Sequence, residues 1–490
     1  MFVGTFVFLP LAYRVFWRTQ VLGNFARSHG MKYSISTEKE NWLQISCEFQ
    51  PKKLGRLKIG LPIWRPGRYQ VQNFAKNVPE ISAYQDEKQV SIAKIESSVW
   101  EINCEEIALI KLEYTYFAVQ RDAGGSVANA DMLYINFVNC LVCPLGFENQ
   151  GCDVTIKFPG HWQFATSLAF KNEVFQARTY RELVDSPFLA AAQIFSHSWK
   201  ESGAQFFIQG IGQSTVFSDP LIDAYQKIVA FQCAWMGELP VKKYHFLHWI
   251  CPEPFYHGVE HTQSTMMVMG PEDRACYDDL IGLASHEFFH VWNIATIRPK
   301  PLLPYRFGKI TYFETAWIVE GVTTYLGDWF LKASGVIQEE EYLNLLLGNL
   351  KLHFDRDRYS VQSLTQSSMD LWLDGYGPST PGKRVSIYFK GAIVALGLDL
   401  LIQQKFGGAK SIREVMQLMN ARFGHLKKGY EQRDFFRIAE EVYEAPLTEF
   451  WNVWVFGSED LLDPLAAILR NSGLDLSEDP TVGLQLNKIS

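Results

Sequence analysis

Residues 286–290 read His-Glu-Phe-Phe-His, and no other stretch of the chain constrains so much at once. Two histidines four apart lie on one face of a helix, a single turn from each other. From there both imidazoles reach one zinc ion at about 2.0–2.1 Å, with Glu287 beside the water that fills an open position. Zinc lowers the pKa of such a water from about 15.7 to about 7, within reach of a neighbouring carboxylate acting as base. The bland alternative is a chance match on a buried helix. Zinc chemistry, in contrast, demands a third protein ligand from a second helix packed against the first.

Glu320 answers that demand. It follows a Pro-rich connection (Pro299, Pro301, Pro304) and sits in a segment whose Trp317, Val319, Leu326 and Phe330 are apolar enough to bury a helix. An acid inside such a helix is costly unless it is paired or bound to metal. Taken alone, it reads first as an exposed charge at a helix N-terminus. Two His, one Glu and one open position form a catalytic coordination set, because structural zinc sites are closed by four protein ligands.

At this point the chain resembles a known family. Residues 286–293, the Ile297-Arg298-Pro299 element and residues 317–328 are similar to the zinc segments of the glycyl aminopeptidase family, whose catalytic domain is thermolysin-like. Residues 61–69 (LPIWRPGRY), Gly258-Val259-Glu260-His261 and Tyr388-Phe389-Lys390-Gly391 extend the similarity over roughly residues 31–475. The resemblance implies a zinc metallo-aminopeptidase with one zinc per chain, held by His286, His290 and Glu320. It implies peptide substrates with a free N-terminus and a preference for small first residues such as Gly or Ala.

Two further roles come only through the resemblance. Gly258 and Glu260 match a substrate-binding loop whose Glu binds the α-ammonium, although His257 stands where the family has another Gly. Tyr388 matches a tyrosine that donates to the oxyanion, while Glu287 is the general base. Read without the family, Glu260 is a solvated acid and Tyr388 is core filler with its hydroxyl bonded to backbone. His245 and His248 are three apart on an expected strand and so face opposite ways, which argues against a joint metal site. Two functional alternatives stay open: a zinc endopeptidase without amine anchoring, and an inactive scaffold stabilised by metal.

Composition excludes other classes. A net charge of −7 over 490 residues, without a basic block, gives no reason to expect nucleic acid as a partner. Eight scattered cysteines with one CxxC (Cys140, Cys143) suit buried free thiols in a reducing compartment, hence a cytoplasmic expectation. The first 13 residues are uncharged and apolar, too short for a bilayer span and closed by Arg14 and Arg18. They read as part of a non-family extension over residues 1–30, with a membrane anchor as the alternative.

The expected fold is α+β and multidomain. An antiparallel β domain is predicted over residues 31–205 from period-two runs such as 111–116, and a thermolysin-like zinc domain over 206–331. A helical domain follows over 332–460, with a capping box at Ser411 and a stop at Gly407-Gly408. Residues 461–490 read as a polar tail with room only for the first strand of the PDZ domain that the family carries there.

Overall fold

A computed structural model describes residues 30–212, 214–271, 277–374, 376–377 and 380–489. The apolar opening segment and the expected 1–30 extension, apart from Gly30, lie outside them. The chain is α+β: a β-rich N-terminal part, a central mixed sheet with helices, and a helical C-terminal part.

The N-terminal part is built from three sheets, the largest of eight strands with Met31–Lys39 and Trp42–Phe49 at its middle. Strand Ile110–Phe117 shows how alternation builds it: Ile110, Leu112, Tyr114 and Tyr116 are buried while the residues between turn outward. The pairing is antiparallel with one exception. Met31–Lys39 runs parallel to Cys152–Ile156 (Met31 beside Cys152), so the strictly antiparallel expectation needs that correction. Parallel neighbours require a long crossover, which the chain between these strands supplies. All seven described cysteines are buried.

Five strands form the central sheet: β1 (Phe195–Glu201), β2 (Ala204–Ile211), β3 (Lys243–Ile250), β4 (Phe255–Glu260) and β5 (Ser264–Gly270). Their order is β1-β2-β3-β5-β4, with β2, β3 and β5 parallel and β4 an antiparallel edge. A boundary at 205/206 would cut β2 in two. The sheet begins at Phe195, because β1 and β2 form a hairpin whose period-two pattern cannot reveal which sheet it joins.

Three helices surround the sheet's working end: α1 (Asp219–Met236), α2 (Tyr277–Phe289) and α3 (Ala316–Ala333). Buried polar contacts tie them together. Tyr225 donates to the Leu280 carbonyl at 3.3 Å, Gln232 donates to the Ser285 carbonyl at 2.9 Å, and Ser285 donates to the Gly327 carbonyl at 2.7 Å. Buried polar groups left unpaired cost 1–3 kcal/mol each, so these bonds fix one arrangement.

Among the described residues seven more helices follow: α4 (Glu339–Phe354), α5 (Leu364–Asp374), α6 (Phe389–Lys405), α7 (Ile412–Phe423), α8 (Gln432–Tyr443), α9 (Thr448–Trp454) and α10 (Leu462–Arg470). The Ser411 capping box is present, and Gly407 and Gly408 at φ +57° and +81° end α6. Helix α6 crosses α3 at two glycines: a Cβ on Gly321 would lie 2.4 Å from Gly391 Cα. The tail differs from the expected lone strand. It folds as α10 followed by a hairpin of Leu474–Asp479 and Gly483–Lys488 that buries Leu476 and Leu484. Arg358 holds it through Asp460 and Glu478 at 2.7 and 2.8 Å, a long-range pairing that local sequence cannot announce.

Candidate active site

His286 and His290 stand one turn apart on α2, and Glu320 faces them from α3. The two Nε2 atoms are 3.2 Å apart, and each is 3.7 and 3.6 Å, respectively, from Glu320 Oε2. A tetrahedral zinc with ligands at 2.0–2.1 Å separates its donor atoms by about 3.3 Å, so these three fit the ion. His290 Nδ1 lies 2.9 Å from the Asn293 carbonyl oxygen. Donation there leaves Nε2 as the lone pair turned to the metal position, the usual arrangement of a metal-ligating histidine. Asn293 also donates its amide to the Ile318 and Val319 carbonyls, both at 3.0 Å, which seats the first turn of α3 against the end of α2.

Electrostatics follow from burial and crowding. Burial alone would raise the Glu320 carboxyl, but the His286 and His290 imidazoles beside it outweigh burial and hold the group at about 2. Glu287 is pushed up to about 8 by burial, with His290 opposing and Glu260 and Glu320 adding. Burial raises Glu260 also, against the pull of His290 and with Glu320 reinforcing. Three carboxylates thus share one buried pocket with less than matching positive charge, an arrangement suited to cations.

Glu260 is the last residue of edge strand β4, and its Oε1 is buried without a partner. Ligand atoms of Glu260, Glu287 and His290 lie within 4.8 Å of one another, so this second cluster adjoins the first through His290. Glycines make the room. A Cβ on Gly258 would come 2.3 Å from Glu287 Oε1, and one on Gly67 would come 2.3 Å from Glu260 Oε2. Gly67 takes φ +75°, which the Pro66-Gly67 turn permits at no steric cost. Its loop is anchored by Trp64, whose indole donates to the Arg306 carbonyl at 3.0 Å amid Tyr69, Tyr305, Phe307 and Trp372.

Tyr388 immediately precedes α6 and lines the same cleft of about 780 Å³ as all three clustered carboxylates. The Gly321–Gly391 crossing brings it to Glu320. Tyr376, in the connection between α5 and α6, lines the same cleft. Of the other histidines, His257 lines the cleft and is held down at about 4 by burial and by Arg65. His261 is tied to Asp185 at 3.1 Å. His245 is bonded to the Gln209 side chain at 2.8 Å, and His248 to the Gln209 carbonyl at 3.2 Å and to the Tyr225 hydroxyl at 3.0 Å.

Sequence reasoning missed Asn293, Tyr376 and Asp328. Asn293 stood within the zinc motif without a role, and Tyr376 sits in a Gly/Pro/Ser-rich stretch that reads only as a loop. Asp328 lies two turns beyond Glu320 on α3, a spacing that would have marked it as facing the same cleft.

Family models match this chain twice: a Peptidase M61 N-terminal domain over residues 32–192 and an M61 glycyl aminopeptidase domain over residues 279–394. Together they span more than half of the sequence. The chain belongs to the M61 glycyl aminopeptidase family. With that membership the protein is a hydrolase, a zinc metallopeptidase acting on peptides.

Among solved structures, this M61 chain is similar to an aminopeptidase N family protein from Idiomarina loihiensis. The TM-score is 0.84 at 23% identity, covering 92% of this chain and 81% of that one. An M1 zinc metallopeptidase from Deinococcus radiodurans gives TM-score 0.54 at 13% identity, covering 88% and 93%. A mutant of that enzyme, bound to a Tyr-Ser-Ala substrate, matches equally at TM-score 0.54 and 14% identity, covering 88% and 93%. At these identities the likeness concerns the fold. Comparison with curated proteins finds no match. Among the described residues of this M61 protein, no helix is long and apolar enough to cross a membrane.

Proposed function

We propose that this M61 member is an aminopeptidase that removes small N-terminal residues, Gly or Ala, from peptides, with one zinc held by His286, His290 and Glu320. When bound, zinc supplies Lewis acidity toward the scissile carbonyl and acidifies a water molecule beside it. Glu287 takes the proton from the attacking water and returns it to the leaving amide nitrogen. One carboxylate serves both halves of that transfer, as base and then as acid. Tyr388 donates a hydrogen bond to the oxyanion, a contact worth about 10²–10³ in rate. Glu260 receives the substrate's α-ammonium, and Gly258 keeps the cleft wall thin enough for the peptide backbone to approach.

One observation carries the exopeptidase reading: the buried, unpartnered Glu260 Oε1 close to Glu287 and His290. A desolvated carboxylate without a partner is expensive, and an ammonium ion satisfies it through a charge-assisted bond. The small-residue preference rests on the family alone. The test uses purified protein with Gly- and Ala-amide substrates and the same peptides N-acetylated, each with and without a chelator. Chelator-sensitive release from free amines and little from acetylated ones is expected. Equal rates on both would favour the endopeptidase alternative.

A further inference from the structure

We propose that Glu260 and Glu287 form a second divalent-cation site beside the first zinc, and that an ion held there blocks the enzyme by taking the place of the substrate's amine. The inference rests on His286, His290 and Glu320 as the zinc ligands and on Glu260 as the amine anchor, and it adds regulation to that reading. Glu260 and Glu287 are 6% and 5% exposed, and their ligand atoms lie within 4.8 Å of each other and of His290. Each carboxylate has one oxygen packed by a glycine. A Cβ on Gly67 would come 2.3 Å from Glu260 Oε2, and one on Gly258 would come 2.3 Å from Glu287 Oε1. The remaining oxygens, Glu260 Oε1 and Glu287 Oε2, are buried with no hydrogen-bond partner among the described residues. Both side chains line the cleft, which gives an ion a path to them.

Two buried carboxylates without partners are costly, and as neighbours they also repel each other. Divalent ions bond oxygen at about 2.0–2.6 Å and so join two donors up to about 4–5 Å apart, the separation present here. His290 closes the triad but has no nitrogen to give. Its Nδ1 lies 2.9 Å from the Asn293 carbonyl oxygen, and its Nε2, 3.2 Å from His286 Nε2, is turned to the first zinc. The second ion therefore takes two protein oxygens and completes its shell with water. Three protein ligands hold the first zinc, so the second ion is the weaker one. Charge points the same way. With the first zinc in place, the three carboxylates still carry one negative charge in excess. A substrate ammonium cancels that charge, whereas a second dication overshoots it by one. Carboxylate and water donors suit Mg²⁺, Ca²⁺ and Mn²⁺, but zinc stands above manganese in affinity and is the ion to test. Bound there, it occupies both the residue that receives the amine and the residue that takes the proton. Free-amine substrate and the second ion thus exclude each other.

The experiment titrates ZnCl₂ by calorimetry into the full chain already loaded with one zinc, in wild type, Glu260→Gln and Glu287→Gln, with melting temperature reporting the fold. Wild type should take up one further zinc, at least about tenfold more weakly than the first. Each variant should keep the first ion and bind the second at least about tenfold more weakly than wild type does. A second readout needs no variant: inhibition of Ala-amide hydrolysis by added zinc should be competitive, relieved by raising the substrate. A wild type that stays at one zinc per chain overturns the second site and leaves the first assignment standing. A further zinc retained at wild-type affinity in either folded variant lies elsewhere and overturns it as well. So does inhibition that more substrate fails to relieve. A chain that binds no zinc at all removes the ligand reading and this inference with it.

Discussion

Replacing Glu260 by Gln isolates the contact that separates an exopeptidase from an endopeptidase. The carboxylate is buried, one oxygen has no partner, and the Gly67 backbone packs against the other. A substrate ammonium brought to it forms a charge-assisted hydrogen bond, worth about 1.5–3 kcal/mol. At about 1.4 kcal/mol per tenfold, Glu260→Gln therefore lowers kcat/KM on free-amine peptides by about 10- to 150-fold. Acetylated peptides present no ammonium, so their slow hydrolysis should change little. The free protein should respond in the opposite sense. Burial and the neighbouring Glu320 make the charged form of Glu260 unfavourable without substrate, so the neutral amide leaves melting temperature equal or higher. A side chain there for structure would give the reverse, a lower melting temperature and equal loss on both substrates. The assay is the ratio of kcat/KM for Ala-amide peptides over their acetylated forms, in wild type and variant, at equal zinc content. An unchanged ratio would refute the anchoring role.

Other outcomes follow from the same geometry. His286→Ala should lose zinc and activity together, and a folded variant with full zinc by metal analysis would sink the ligand assignment. Glu287→Gln should keep zinc yet lose most turnover, because that carboxylate takes the proton and does not hold the ion. Asn293→Ala breaks the amide bonds that seat α3 on α2 and should weaken zinc affinity by about 10- to 100-fold in a chelator competition. For Asp328, burial raises the folded-state pKa to about 6 against 3.8 in the reference state, with the bond from Asn349 opposing. A raised carboxyl favours the fold below the unfolded pKa and loses that contribution as pH rises through 6. Asp328→Asn should thus stabilise the protein by roughly 1–3 kcal/mol at pH near 7.5 and hardly at all near 4. Urea melts at the two pH values check it, and equal gains at both would exclude ionisation as the cause.

What was legible in the sequence follows the reach of each interaction. The one-turn spacing of His286 and His290 is a local rule, and α2 delivers both imidazoles to one point whatever else the chain does. Glu320 was legible because an acid among Trp317, Val319 and Leu326 has to be paired, and the partner it found is that same point. The edges of the units were not, since β1 and β2 alternate in the same way as strands of the preceding sheets and only distant pairing with β3 assigns them. Tyr388 needed the family resemblance, for nothing local distinguishes it from core filler. Gly391, three residues on, held the physical clue, because a glycine inside a buried helix marks a close crossing, here with Gly321. Asn293 and Gly67 act on backbone and side chains far away in sequence, one seating α3 and the other roofing Glu260. The proposed metal ligands are therefore encoded locally, whereas the groups that would read the substrate are brought in by long-range packing from the N-terminal loop and α6. A site so divided can keep its zinc chemistry while changing its substrate by altering residues that no zinc motif contains.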